Sequence, residues 1–411
     1  MRLRNFCLTA LALTPFFSHG VETPEQPDIS KEVSQLIQSH TDFAFSLYPK
    51  IDSSDANLVF SPYSISSCLS MAYLGARDVT EQEMSQALKL DLSSKEIATP
   101  SAALNQMLMP TPNKKSYDLT LANALWLDDR TYILGDYRYA IEKQFGAKIG
   151  NLSFAQPDAA LATINKWVAD KTNGHIQNLL TRSDITASTR LVMTNAAYFK
   201  GSFLKPFDPQ MTQDAEFYPL TRTAEMVKMM EQSGYFPYVE NELFQAIALP
   251  FCGVSKGKGQ LALLVLLPKS AENFDVMLQA MPDALKETIQ DLQGRKAHVK
   301  LPKFTLTKRY NLNNPLLQLG MKNPFTTQAN FSGIDGLMNL YLNKVVHETF
   351  FALDENGVTA AAATGASMDI TSAPTEPAEF NADHPFLFFI VDLKSTEVLF
   401  IGKFTDATDV I

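Results

Sequence analysis

From Leu353 to Ser372 the chain reads Leu-Asp-Glu-Asn-Gly-Val-Thr-Ala-Ala-Ala-Ala-Thr-Gly-Ala-Ser-Met-Asp-Ile-Thr-Ser, and no other stretch restricts its fold as strongly. Between Thr359 and Asp369 it has no Leu, Val or Phe, so it carries little that could anchor it in a core. Ala and Gly dominate where an ordinary loop would show Asn, Asp and Pro. Read at the strand period of two, Val358, Ala360, Ala362, Thr364, Ala366 and Met368 share one small, mostly apolar face. Thr359, Ala361, Ala363, Gly365, Ser367 and Asp369 share the other, which turns polar at its far end. Such a segment can enter a sheet without a clash or a buried charge, and it can equally remain outside. Taken alone, Ala360–Ala363 also suits one turn of helix and Asp354–Gly357 an ordinary turn.

The rest of the chain gives that segment its context. Its 411 residues, 45% hydrophobic and 19% charged, describe a globular protein with a sizeable core. A net charge of −9 argues against nucleic acid and heparin as partners, since both need basic patches. Lys256/Lys258 and Lys308/Arg309 are the densest basic spots, and both are short. At the N-terminus, Arg2 and Arg4 precede an apolar run from Phe6 to Phe17, and Ser18-His19-Gly20 supplies small residues. Residues 1–20 therefore read as an export signal and 21–411 as one domain, secreted or periplasmic, with no membrane association once the signal is removed. The run is too short to span a bilayer. Cys7 would leave with the leader; Cys68 and Cys252 are too few for a disulfide framework, although a bridge between them stays open.

Helical periodicity marks 29–47, 61–75, 80–88 and 161–171, with Thr80 and Glu83 spaced as a capping box. Strand character marks 57–60, 119–126, 191–199, 244–249, 261–267, 298–304, 340–353, 385–391 and 398–404. Helices early and strands later, with no long linker, predict a single α+β domain. No Gly-x-Ser-x-Gly elbow, phosphate loop, His-Glu-x-x-His or Cys-x-x-Cys pair occurs, so neither an enzyme nor a metal or cofactor site is expected. Two Asn-x-Ser sequons begin at Asn151 and Asn330.

Several longer stretches carry a family resemblance. They are the run from Asn57 to Ser67, Tyr73-Leu-Gly-Ala-Arg77, Ile164-Asn-Lys-Trp-Val168 and Lys171-Thr-Asn-Gly-His-Ile176. Asn195-Ala-Ala-Tyr-Phe-Lys-Gly201, Leu301-Pro-Lys-Phe304, Leu319-Gly-Met321, Phe331-Ser-Gly333 and the run from His384 to Ile390 follow in order. Together they resemble the serpins over roughly residues 30–408. The resemblance implies a metastable fold of three β-sheets with about nine helices and an exposed reactive-centre loop, here about 355–380. It also implies a monomer that traps its partner, a target protease. The protease cleaves the loop, an acyl-enzyme forms, and the loop's first part inserts as a new strand in the largest sheet.

Carried onto this sequence, the resemblance assigns Glu355, Gly357, Val358, Thr359, Ala360, Ala361, Ala362, Ala363 and Thr364 to the insertion hinge. Val358 departs from the Thr or Ser common in inhibitory members, but it is uncharged and β-branched and suits a strand. The scissile bond is expected at Thr371–Ser372, with Ile370 and Met368 as fallback sites. Thr371 suits a shallow apolar pocket of elastase type, and no Lys or Arg between Val358 and Phe380 invites a trypsin-like protease. Ser61, Ser64, Asn195 and His347 match a shutter beneath the opening strands, and Phe203 stands at the breach, where many members have Trp. The rival readings are a non-inhibitory carrier, chaperone or binding module, and an inhibitor of papain-like cysteine proteases.

Overall fold

The computed structural model describes residues 29–52, 56–109, 117–220, 223–253, 260–358 and 376–407. The leader, Thr359–Thr364, Met368, Ile370, Thr371 and Ser372 lie outside the described residues. Among those described, nine α-helices and two hydrogen-bonded strand networks form a mixed α+β fold.

The N-terminal helix, Lys31–Ile51, starts where the Ser30 side chain accepts the Val33 N–H, and it buries Val33, Leu36, Ile37, Phe43 and Leu47. Helix Pro62–Gly75 is capped by Ser61, carries Pro62 in its first turn, and is buried almost all round, as a helix packed between sheets must be. The Thr80/Glu83 capping box does not form. Helix Asp78–Leu88 starts two residues before Thr80, whose hydroxyl donates to Asn323 and accepts the Asn330 N–H, while Glu83 accepts the backbone N–H of Lys322. Both side chains are spent on tertiary contacts that local spacing does not reveal. Helices Ala98–Leu108 and Phe274–Gln290 were not expected from periodicity, each having a Pro in its apolar pattern. Among the described residues no helix is long and apolar enough to cross a membrane.

The larger network runs Leu58–Phe60, Val398–Phe404, Phe386–Asp392, Leu261–Pro268, Phe244–Pro250, Glu225–Glu240, Gln293–Pro302, Ala378–Asn381, with Gln213–Phe217 beside Glu225–Glu240. Only the end of Glu225–Glu240 pairs with Phe244–Pro250; its longer part pairs with Gln293–Pro302 and Gln213–Phe217. Two sheets thus share one long strand, which makes three sheets with the main sheet described next. Every residue of Leu261–Pro268 is buried, as its unbroken apolar sequence demands. The expected strand at 298–304 is two strands, Gln293–Pro302 and Phe304–Asn311, broken at Lys303.

The main sheet has six strands in the order Phe304–Asn311, Lys344–Asp354, Gly357–Val358, Leu191–Ser202, Tyr117–Asp128, Lys148–Leu152. Its inner face packs on the large core, and Trp126, Val192 and Val346 on its outer face form a second cluster with Ile164 and Val168 of helix Pro157–Lys171. Both faces are therefore covered.

Candidate functional site

The two central strands of the main sheet, Leu191–Ser202 and Lys344–Asp354, run parallel and pair directly from Val192/Lys344 to Tyr198/Phe350. Beyond that rung they fork. The two-residue strand Gly357–Val358 fills the fork, antiparallel to both, with Val358 opposite Leu353 and Gly201. Val358 is 0% exposed. The reversal from Asp354 to Gly357 is tight: the Asp354 carboxylate accepts the Asn356 N–H at 2.8 Å. Phe203 N–H donates to the Asn356 carbonyl at 2.7 Å and Phe207 N–H to the Glu355 carbonyl at 2.8 Å. Gly357 sits at φ +138°, and a Cβ there would collide with the Gly201 carbonyl oxygen and the Phe203 nitrogen.

Glu355 is buried yet paired. Thr212 donates its hydroxyl to one carboxylate oxygen at 2.9 Å, and the Lys303 ammonium meets the other at 2.8 Å. Burial pushes its pKa up, but Lys303, a backbone N–H and Thr212 together hold it below the usual carboxylate value. Phe203 stacks on Phe251 at 5.3 Å and meets the edge of Phe207 at 6.1 Å, so the backbone gripping the Asn356 carbonyl rests on packed rings. The Cys252 thiol donates to the Phe203 carbonyl at 3.3 Å; Cys252 and the buried Cys68 are both free thiols, so the bridge left open by sequence does not form.

Ser61, Ser64, Asn195 and His347 meet beneath the same two strands, all at 0% exposure. His347 and Asn195 are cross-strand partners. His347 Nε2 accepts the Ser61 N–H at 3.0 Å, which leaves the proton on Nδ1, and Nδ1–H donates to the Asn195 side-chain oxygen. The Asn195 amide donates to the Ser64 carbonyl at 2.9 Å and to the Ser64 hydroxyl. Burial pushes the His347 imidazole down to about 3, so it stays neutral.

Two members of this network were not expected. Asn123 accepts from the Asn195 amide and the Ser64 hydroxyl, and Thr349 lies 2.7 Å from His347 Nε2. A signal for Asn123 was present: in Leu119, Leu121, Asn123, Leu125 and Leu127, one polar residue interrupts an apolar face. Asn195 and His347 interrupt the corresponding faces of their strands, and register aligns all three in one row.

A family model for serpins, serine protease inhibitors, matches residues 38–407. The chain is a serpin. It is 35% identical over 386 residues to the leukocyte elastase inhibitor of Sus scrofa, covering 90% of this chain and 99% of that protein. It is also 35% identical to a serpin-like protein of Thermococcus kodakarensis, covering 96% of this chain and 92% of that one. Among solved structures, Serpin48 of Tenebrio molitor superposes with a TM-score of 0.80 at 27% identity, over 92% of this serpin and 99% of that chain. In this serpin Glu355, Gly357 and Val358 thus meet at the fork of the main sheet, and Ser61, Ser64, Asn195 and His347 lie together beneath its seam.

Proposed function

We propose that this serpin is a suicide inhibitor of serine endopeptidases with a small apolar primary pocket of elastase type. The observation that carries the reading is Val358, seated without exposure between the two central strands and already hydrogen-bonded as a strand. Insertion continues this pairing and needs no new register. Extended at the same register, Ala360 would come between Phe351 and Phe199, Ala362 between Thr349 and Ala197, and Thr364 between His347 and Asn195. The small Ala360 would meet two phenyl rings, Ala362 the modest Thr349 and Ala197, and the Thr364 hydroxyl the polar row. Successive added residues give main-chain hydrogen bonds to the two neighbours in turn, so the inserted strand is bonded on both sides.

In this reading Glu355 and Gly357 hold the hinge, and Phe203 supports the breach. Ser61, Ser64, Asn195 and His347 exchange partners as the strands part. Thr371–Ser372 is the reactive bond, with Ile370 and Met368 as fallbacks. The leukocyte elastase inhibitor among its relatives supports an elastase-like target. Arg2, Arg4 and the apolar run to Phe17 support export, and the protein acts as a monomer on its protease.

The test is incubation with elastase, chymotrypsin, trypsin and papain, followed by denaturing gels and mass spectrometry. A covalent complex with elastase, and a released C-terminal peptide beginning at Ser372, are expected. A complex with papain alone would move the target to cysteine proteases. Loop cleavage by all four without a complex or a gain in thermal stability would identify a carrier, chaperone or binding module instead.

A further inference from the structure

The seam between the two central strands is closed from the outer face as well as from the shutter below. Phe350 and Tyr198 form its last paired rung before the fork, and their rings lie on the outer face with centroids 6.4 Å apart. The imidazole of His175 lies over both, 4.8 Å from Tyr198 at 16° and 4.4 Å from Phe350 at 29°. One ring from a third element therefore caps the rung at which the sheet divides.

The turn that delivers His175 is firmly built. It follows helix Pro157–Lys171 and uses left-handed conformations at Asn173 and Gly174. The buried Thr172 hydroxyl donates to the Val168 carbonyl at 2.9 Å and accepts the Ile176 N–H at 3.1 Å. His175 N–H donates to the Thr172 carbonyl at 3.0 Å, and Ile176 is sunk in the outer cluster. Burial, and then Lys200, lower the His175 pKa, which favours the neutral ring.

We infer that His175 is a latch on the fork: its stack across Tyr198 and Phe350 holds the last rung closed and must be given up before a further strand can enter. The inference rests on the insertion reading above. A new strand between the two would carry their rings apart by roughly 4.8 Å, the spacing between neighbouring strands, and one imidazole cannot then cover both. His175 thus stands at the first closed rung an inserting strand meets, whereas His347 and Asn195 lie three rungs further along. It is a positioning residue that sets how readily the fork advances.

The test uses the full chain as wild type, His175→Ala, His175→Phe and, as a control at an exposed position just past the turn, Asn178→Ala. A synthetic peptide with the sequence of residues 359–371 is offered to each, and its incorporation is followed on native gels. Amide hydrogen exchange at 193–198 and 345–350 is measured without peptide. His175→Ala should take up the peptide about fivefold faster and exchange faster on both strands, while His175→Phe, which keeps a ring over the rung, and Asn178→Ala match wild type. Equal uptake and exchange in wild type and His175→Ala overturn the latch, and so does a His175→Phe protein as fast as His175→Ala. If no variant takes up peptide but exchange rises in His175→Ala, the latch on the rung stands and the insertion reading fails. If protease complexes form normally and His175→Ala is indistinguishable from wild type, the latch alone fails.

Discussion

His347 donates from Nδ1 to the side-chain oxygen of Asn195 across the seam between two parallel strands, so one hydrogen bond ties together the pair of strands that forks around Val358. Ser61 fixes the tautomer from below by donating its N–H to Nε2.

This histidine makes the protein acid-sensitive in a definite direction. Its folded pKa, about 3, lies below the ordinary value near 6.5. The unfolded chain therefore binds the extra proton first, and stability falls as pH drops from about 6.5 towards 3, by up to about 1.4 kcal/mol per pH unit. His347→Gln should be less stable at pH 7, by about 2 kcal/mol for the broken buried network, and should lose that slope. Urea midpoints of both proteins across pH 4–8 check this; parallel curves would count against it.

Val358 leaves no room for a charge. Val358→Glu would set a carboxylate at a fully buried position between Leu353 and Gly201. The variant is expected to be cleaved by elastase as a substrate, with at least about tenfold less covalent complex per loop cleaved. Gel densitometry of complex against cleaved protein measures the ratio.

Gly357→Ala tests the hinge backbone. The added methyl meets the Gly201 carbonyl oxygen at a φ of +138°, so the short strand should be expelled from the fork. A loss of stability of about 2 kcal/mol or more is expected, with faster amide exchange at 357–358. A fully protected, wild-type-like variant would show that the strand tolerates a side chain there.

A third histidine titrates in the opposite sense. His298 bonds Glu379 at 2.9 Å and Glu231 at 2.8 Å, and these carboxylates raise its pKa above the ordinary value against a smaller effect of burial. Its stabilising effect is complete below about pH 6.5 and is lost as pH rises through the folded value. Because Glu379 lies on the edge strand Ala378–Asn381, exchange at 378–381, corrected for intrinsic pH dependence, should quicken between pH 6 and 9. Glu379→Gln should flatten that response, and the effect should be modest because the pair is partly exposed.

Much of this was legible in the chain. Alternating and unbroken apolar runs located Leu191–Ser202, Leu261–Pro268 and Val398–Phe404, because burial on one or both faces writes itself into residue type. The strand Glu225–Glu240 was not legible, since exposed edges, Gly234 and Pro237 interrupt its pattern. Asn330 illustrates the same limit at a single residue: its sequon is intact, yet its amide nitrogen is bonded to Asp78 and the side chain is buried.

The sequence by itself determined that residues 353–372 could live inside or outside a sheet, because small side chains at a period of two clash with neither setting. It also determined the family, through motifs whose order is specific. Only the tertiary structure decided that Val358 already occupies the fork, that Asn123 and Thr349 belong with His347, and that His175 lies across the last rung. Those facts depend on register between strands far apart in the chain, and register is a property of pairing, which no single segment encodes.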